Sequence, residues 1–227
     1  MRHHKPISHL RWSKALKQAL LRWKKLDIAQ ERARLERHQL PLLQRYAKQL
    51  PTDGAILEIG CGPICISRLL PQQHKTYLDP LIDDYRRIFP GELPEDGEFI
   101  ASMGERINKP SASYDLIICM NVLSFAMNPE LILNEVERLL KPHGKCIIGM
   151  RTHSALEARL HYLLIQLCPG MCNYTRPYYY ALPGILRTLS RHFHVEQQKT
   201  RKQGWFQIPL FKREEHLFIC SKKTHAT

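Results

Sequence analysis

From Ser8 to Leu50 the apolar residues Leu10, Trp12, Leu16, Leu20, Leu21, Trp23, Ile28, Leu35 and Leu40 recur at intervals of three and four among arginines and lysines. That period puts them on one side of a helix, so the segment predicts one or two amphipathic helices. Pro51, Thr52, Asp53 and Gly54 end the pattern, and the chain then alternates between short apolar runs and helical periods. Ala55 to Ile59, Lys75 to Leu78, Glu98 to Ala101, Tyr114 to Met120 and Lys145 to Met150 predict strands. Ile64 to Leu70, Leu81 to Phe89 and a segment opened by Asn128 and Pro129 and closing at Leu140 predict helices. Asn128 and Pro129 have the residue types favoured at a helix N-cap and first turn. Lys141, Pro142, His143 and Gly144 predict a turn.

Repeated strand–helix–strand units with short connections predict an α/β fold: a Rossmann-like, doubly wound, mostly parallel seven-stranded sheet with helices on both faces, preceded by a helical extension. After Arg151 the alternation is interrupted by an amphipathic segment, Ser154 to Leu167, and a loop rich in Cys, Pro and Tyr up to Tyr180. Residues 151–180 therefore predict a lid-like insertion. Helical Pro183 to His192 and strands Val195 to Thr200 and Glu215 to Cys220 complete the chain. The expected organisation is a basic extension over 1–50 and one main domain over 51–227.

Charge changes the picture only at the ends. The net charge of +13 is carried by residues 1–50, with 13 Lys/Arg against 3 Asp/Glu, and residues 186–227, with 9 against 3; the middle is slightly acidic. Basic ends bear on partners and solubility rather than on the central fold. Apolar runs are strand-sized, and the basic N-terminus is not followed by an apolar signal core, so a transmembrane segment is not expected and a cytoplasmic location is the default. The seven cysteines lack paired C-x-x-C spacing and read as reduced core thiols; the twelve histidines show no H-E-x-x-H pattern, so no metal site is expected.

The informative segment is Ile56-Leu57-Glu58-Ile59-Gly60-Cys61-Gly62-Pro63, a strand delivering two glycines to the next element. Glycines there permit a sharp turn and let a ligand lie against the backbone. Asp79 ends the next strand, 21 positions after Glu58, where a carboxylate can accept both hydroxyls of a ribose. A nucleoside-containing ligand follows. The competing reading makes Glu58 and Asp79 ordinary strand-end caps.

On these residues the chain resembles the class I S-adenosylmethionine-dependent methyltransferases, particularly small-molecule enzymes whose first motif reads like L-E-I-G-C-G-P-G. Met103-Gly104-Glu105 resembles the stretch bordering adenine, Asn121-Val122-Leu123 the loop lining the methionine moiety, and Leu139-Leu140-Lys141-Pro142-His143-Gly144 the turn into the fifth strand. The resemblance implies S-adenosylmethionine as cofactor and S-adenosylhomocysteine as product. It assigns Glu58, Gly60, Cys61, Gly62, Asp79, Met103, Gly104 and Asn121 to the cofactor site. The chain departs from the family pattern at Ile64, where a third glycine is usual, at Met103, where an adenine-binding Asp is common, and at Phe125, which replaces a frequent His. Losing the Asp removes about 0.5 to 1.5 kcal/mol of net hydrogen bonding.

The acceptor is not legible. A small, hydrophobic metabolite fits the insertion, whose placement resembles that of ubiquinone-type O-methyltransferases. A nucleic acid is suggested by Arg11-Trp12, Arg22-Trp23-Lys24-Lys25 and Arg201-Lys202 with Trp205 and Phe206, although the N-terminal Trp residues also fit the apolar packing period. The basic amphipathic N-terminus equally suits peripheral contact with an anionic membrane at the inner surface, or with a partner, the domain then being either active or a retired binding module. General-base candidates are His153, His161, Tyr174, Tyr178, Tyr179 and Tyr180, and no catalytic residue is assigned among them.

Overall fold

Three helices occupy the basic N-terminal segment of the computed structural model, which describes residues 6–167, 177–202 and 214–223. Helix α1 (His9–Lys25) is capped by Ser8, whose Oγ accepts the Arg11 N–H. It stops where Leu26 turns extended and Asp27 caps α2 (Ile28–His38), the Asp27 carboxylate accepting the Gln30 N–H at 3.1 Å. Pro41 then starts α3 (Leu40–Ala47) in its first turn. The expectation of one or two helices missed these breaks, since Asp27 and Pro41 act through caps that the apolar period does not register.

The sheet follows: β1 (Ala55–Ile59), β2 (His74–Leu78), β3 (Glu98–Ile100), β4 (Tyr114–Met120), β5 (Leu140–Thr152), β6 (Phe193–Lys202) and β7 (Glu214–Lys222). Their spatial order is β3-β2-β1-β4-β5-β7-β6, with β7 running antiparallel to both neighbours and the other pairings parallel. Connecting helices are α4 (Ile82–Ile88), α5 (Pro129–Leu139), α6 (Ala155–Leu167) and α7 (Leu182–His192). Asn128 caps α5 as expected, accepting the Glu130 N–H at 3.2 Å.

Two further stretches differ from the sequence pattern. Ile64 to Leu70 does not form an α-helix but a short 3₁₀ helix, Ile66–Leu69, because Cys65 takes a left-handed conformation (φ 49°) that breaks the turn before it. Lys141 to Gly144 is not a separate turn but lies within β5. Between the Tyr114–Leu140 and Leu116–Lys145 pairs β4 advances two residues while β5 advances five, so the segment bulges out of a continuous strand.

Strand alternation divides the core. Leu57, Ile59, Ile117, Cys119 and Ile148 face α5 and α7, burying Ile132, Leu133, Val136, Ile185 and Leu189. Ile56, Leu116, Ile118, Ile147 and Ile219 face the other way, against Leu42, Leu43 and Tyr46 of α3 and Ile66 of the 3₁₀ turn. The second face of the sheet is thus covered in part by α3, from the segment read as an extension. The described cysteines Cys61, Cys65, Cys119, Cys146 and Cys220 are buried free thiols.

Candidate active site

Strand order reverses between β1 and β4, since β2 and β3 lie on one side of β1 and β4 and β5 on the other. In an open parallel sheet, this is where loops from adjacent strand ends diverge and leave a crevice. The two strands end in Ile59 and Met120, and the next residues, Gly60 and Asn121, both have positive φ (68° and 60°). Asn121 holds that turn by donating its N–H to Gly149 O at 2.7 Å, and Asn tolerates left-handed backbone better than other side chains. Gly60 is required for space as well as conformation: a Cβ there would lie 2.3 Å from Val122 Cγ2.

Glu58 and Asp79 shape the loop between them. Both oxygens of Glu58 are engaged, Oε1 accepting the Ile66 N–H and Oε2 accepting the Ser67 N–H at 2.9 Å and the Ser67 hydroxyl at 2.5 Å. Burial raises this carboxyl to about 7 against those bonds. Asp79 accepts the Gly62 N–H at 3.1 Å through Oδ2 and the Leu81 N–H at 2.9 Å through Oδ1, and burial raises it to about 6. A carboxylate has roughly four acceptor positions, so the two backbone donors leave Asp79 able to accept two more hydrogen bonds. The Cys61 thiol is held far above its usual range by its hydrogen bond with Cys65 and by burial, which removes it as a nucleophile.

All eight residues assigned from sequence to a cofactor site line one cavity over the ends of β1 and β4. The positions departing from the family pattern, Ile64 and Phe125, line it with them. Glu105 lines it as well, while its Oε1 accepts the N–H groups of Met127 and Asn128.

The sequence reading did not anticipate the roof of the cavity. Trp12, Leu16, Ala19 and Trp23, spaced four, three and four along one face of α1, line it together with Arg22, Leu26, Glu31, Arg34 and Leu35. The Trp23 ring packs edge-on against Tyr85, with centroids 6.5 Å apart, and occupies the space beside Gly62, where an added Cβ would be 3.0 Å from it. Both tryptophans offered as base-stacking groups therefore turn inward, while Trp205 and Phe206 lie outside the described residues. The intervals were legible, but not which surface the helix face would meet.

A second cavity adjoins the first, the two sharing Ala19, Arg22, Leu26, Phe125 and Arg151; His153 and Tyr179 line its far side. Of the general-base candidates, Tyr178 donates its hydroxyl to Met127 O, Tyr180 is buried in the core, and Tyr174 lies outside the described residues. His153 remains on the cavity wall, its Nδ1 3.1 Å from Glu157 Oε1 and its ring against Tyr179. His161 stacks on the same tyrosine at 3.7 Å, and burial, helped by the Arg11 charge, lowers it to about 4.

Comparison with known proteins agrees with this geometry. Residues 57–148 match a family model described as Methyltransferase domain. A thiol S-methyltransferase of Mus musculus is 31% identical over 97 residues, covering 40% of this chain and 39% of that protein. A ubiquinone biosynthesis O-methyltransferase of Xylella fastidiosa is 29% identical over 113 residues, covering 47% of this chain and 46% of that protein. The match thus spans less than half the length of either relative. Among solved structures, a SAM-dependent methyltransferase from Methanosarcina mazei superposes with a TM-score of 0.59 at 19% identity, covering 80% of this chain and 97% of that one. The strand order and the glycine turn at its switch point fall within the stretch matched over 57–148, which is similar to a methyltransferase domain and lies on a Rossmann-like α/β sheet.

Proposed function

We propose that the protein binds S-adenosylmethionine in the cavity above β1 and β4 and transfers its methyl group to a small, largely apolar acceptor, releasing S-adenosylhomocysteine. The observation that carries this reading is the single cavity in which Gly60, Gly62, Asp79 and Asn121 share walls with Trp12, Leu16, Trp23 and Phe125. The residues present suit the cofactor. Asp79 has acceptor capacity for the two ribose hydroxyls, and the glycines keep side chains out of the loop beneath it. Glu58 holds that loop through Ile66 and Ser67. Met103 offers adenine an apolar contact in place of a carboxylate.

When bound, the cofactor supplies a methyl group already activated on a sulfonium, so the chain's task is alignment and exclusion of water. The indole rings and Leu16 of α1 close the cavity from above. A sulfur or oxygen acceptor, in keeping with the names of the two relatives, must lose a proton. His153, held beside Glu157 on the wall of the adjoining cavity, is a described group placed to take it.

The test is transfer of labelled methyl from S-adenosylmethionine to a panel of hydrophobic thiols and phenols, run beside calorimetric titration with S-adenosylhomocysteine. Saturable binding with label transferred to one class establishes the reading. Absence of binding by the folded protein overturns it.

A further inference from the structure

Helix α1 has a second face, opposite the one that roofs the cavity. At 3.6 residues per turn, Leu10, Lys14, Lys17, Leu21, Lys24 and Lys25 fall within an arc of about 100°. All six are exposed, Leu10 by 69% and Leu21 by 39%. The helix contains no acidic residue. Exposed leucines between lysines are unfavourable in water and have no part in the core.

Helix α6 repeats the feature without the charge. Leu156, Leu160, Leu163, Leu164 and Leu167 lie within a similar arc of about 100° and are between 46 and 76% exposed. The two helices are neighbours across one residue: Tyr179 stacks on His161 of α6 and lines the second cavity together with Gln18, Leu21 and Lys25 of α1. No described helix is long and apolar enough to cross a bilayer.

We infer that the outer faces of α1 and α6 form a docking surface for an anionic lipid bilayer, the leucines entering the interface and the α1 lysines meeting the headgroups. Charge complementarity selects this occupant. A second copy of the chain on the same surface would bring two acid-free lysine helices together, and a polynucleotide would leave the leucine stripe of α6 uncovered. An interfacial helix with an apolar stripe and flanking lysines gains from acyl burial and from anionic headgroups at once. The surface adjoins the second cavity, which Leu21 and Lys25 line with Arg22 and Tyr179, so docking would set that cavity against the bilayer.

The experiment is flotation of the full-length protein with phosphatidylcholine vesicles, with and without phosphatidylserine, at low and high salt. The probes are Leu160→Glu/Leu163→Glu and Lys17→Glu/Lys24→Glu, each verified as folded by circular dichroism; none of these side chains lines either cavity. Expected is flotation that requires phosphatidylserine, weakens with salt, and falls by roughly tenfold or more in each double variant. Failure of the wild type to float with anionic vesicles overturns the inference, as does flotation unaffected by the leucine changes. Sedimentation showing a wild-type dimer that Leu160→Glu/Leu163→Glu converts to monomer also overturns it, naming a second copy as occupant. None of these readouts depends on methyl transfer.

Discussion

Replacing Asp79 by Asn separates the carboxylate's two duties. In the folded chain Asp79 accepts one N–H from Leu81 at 2.9 Å and one from Gly62 at 3.1 Å. The Asn side chain keeps an oxygen for one of them and turns an NH2 toward the other. Its charge-assisted bonds to ribose are lost as well. A hydrogen bond to a charged group contributes about 1.5 to 3 kcal/mol, so losing one net bond weakens S-adenosylhomocysteine binding by roughly 10- to 150-fold at pH 8. The wild type should also depend on pH. Binding favours the ionised carboxylate, and burial places the free group at about 6. Below that value each further pH unit should therefore raise Kd by up to about tenfold. The Asn variant should lose this acid limb. Calorimetric titration from pH 5 to 8 on protein verified as folded reads both effects. Equal affinity of wild type and variant at pH 8, or a flat wild-type profile, would refute the assignment of Asp79 to the ribose.

Gly60→Ala should destabilise more than Gly91→Ala. Both positions have positive φ, but a Cβ meets Val122 Cγ2 at 2.3 Å in the first and nothing within 4 Å in the second. The excess, read from urea unfolding, should be about 1 to 3 kcal/mol, and equal costs would remove the steric argument. The ligand-free protein should lose stability as pH rises from about 4.5 to about 7. The folded chain raises the Glu58 carboxyl to about 7 and so retains a proton that the unfolded chain releases. The contribution is about 3 kcal/mol across that window; Glu58→Gln should flatten the slope, and an identical slope in the variant would contradict it. Trp23→Ala should loosen S-adenosylhomocysteine binding while leaving the unfolding midpoint nearly unchanged, because its ring covers Gly62 and Tyr85 without joining the sheet core.

The sheet and its crevice were legible because buried parallel strands and a glycine turn write local signals: apolar runs, Gly60 and Gly62, and a carboxylate at the end of the second strand. The eight residues that the resemblance assigns to a cofactor site meet around one cavity. What the sequence hid depends on longer-range facts. Ile64 to Leu70 has a helical period, yet Glu58 draws the Ile66 and Ser67 amides onto its buried carboxylate and Cys65 turns left-handed. Lys141 to Gly144 has turn composition, yet hydrogen-bonded neighbours on both sides hold it as a bulge in β5. Trp12 and Trp23 showed a helical face, but a face alone does not say what it covers.

The boundary at residue 51, drawn where the periodicity changes, therefore marks a change of local structure rather than the edge of a folding or binding unit. Leu42, Leu43 and Tyr46 of α3 cover Ile56, Leu116 and Ile118 on the sheet. Without them that apolar face would stand in water, at about 25 cal/mol for each square ångström exposed. Farther toward the N-terminus, α1 supplies the indole walls of the cavity from one side and presents lysines and leucines from the other. The basic charge of α1 is compatible with this because its lysines and its aromatic rings occupy opposite sides of one helix. The segment read as a helical extension thus covers part of the core and lines the candidate site, and the walls of the cavity do not come from residues 51–227 alone.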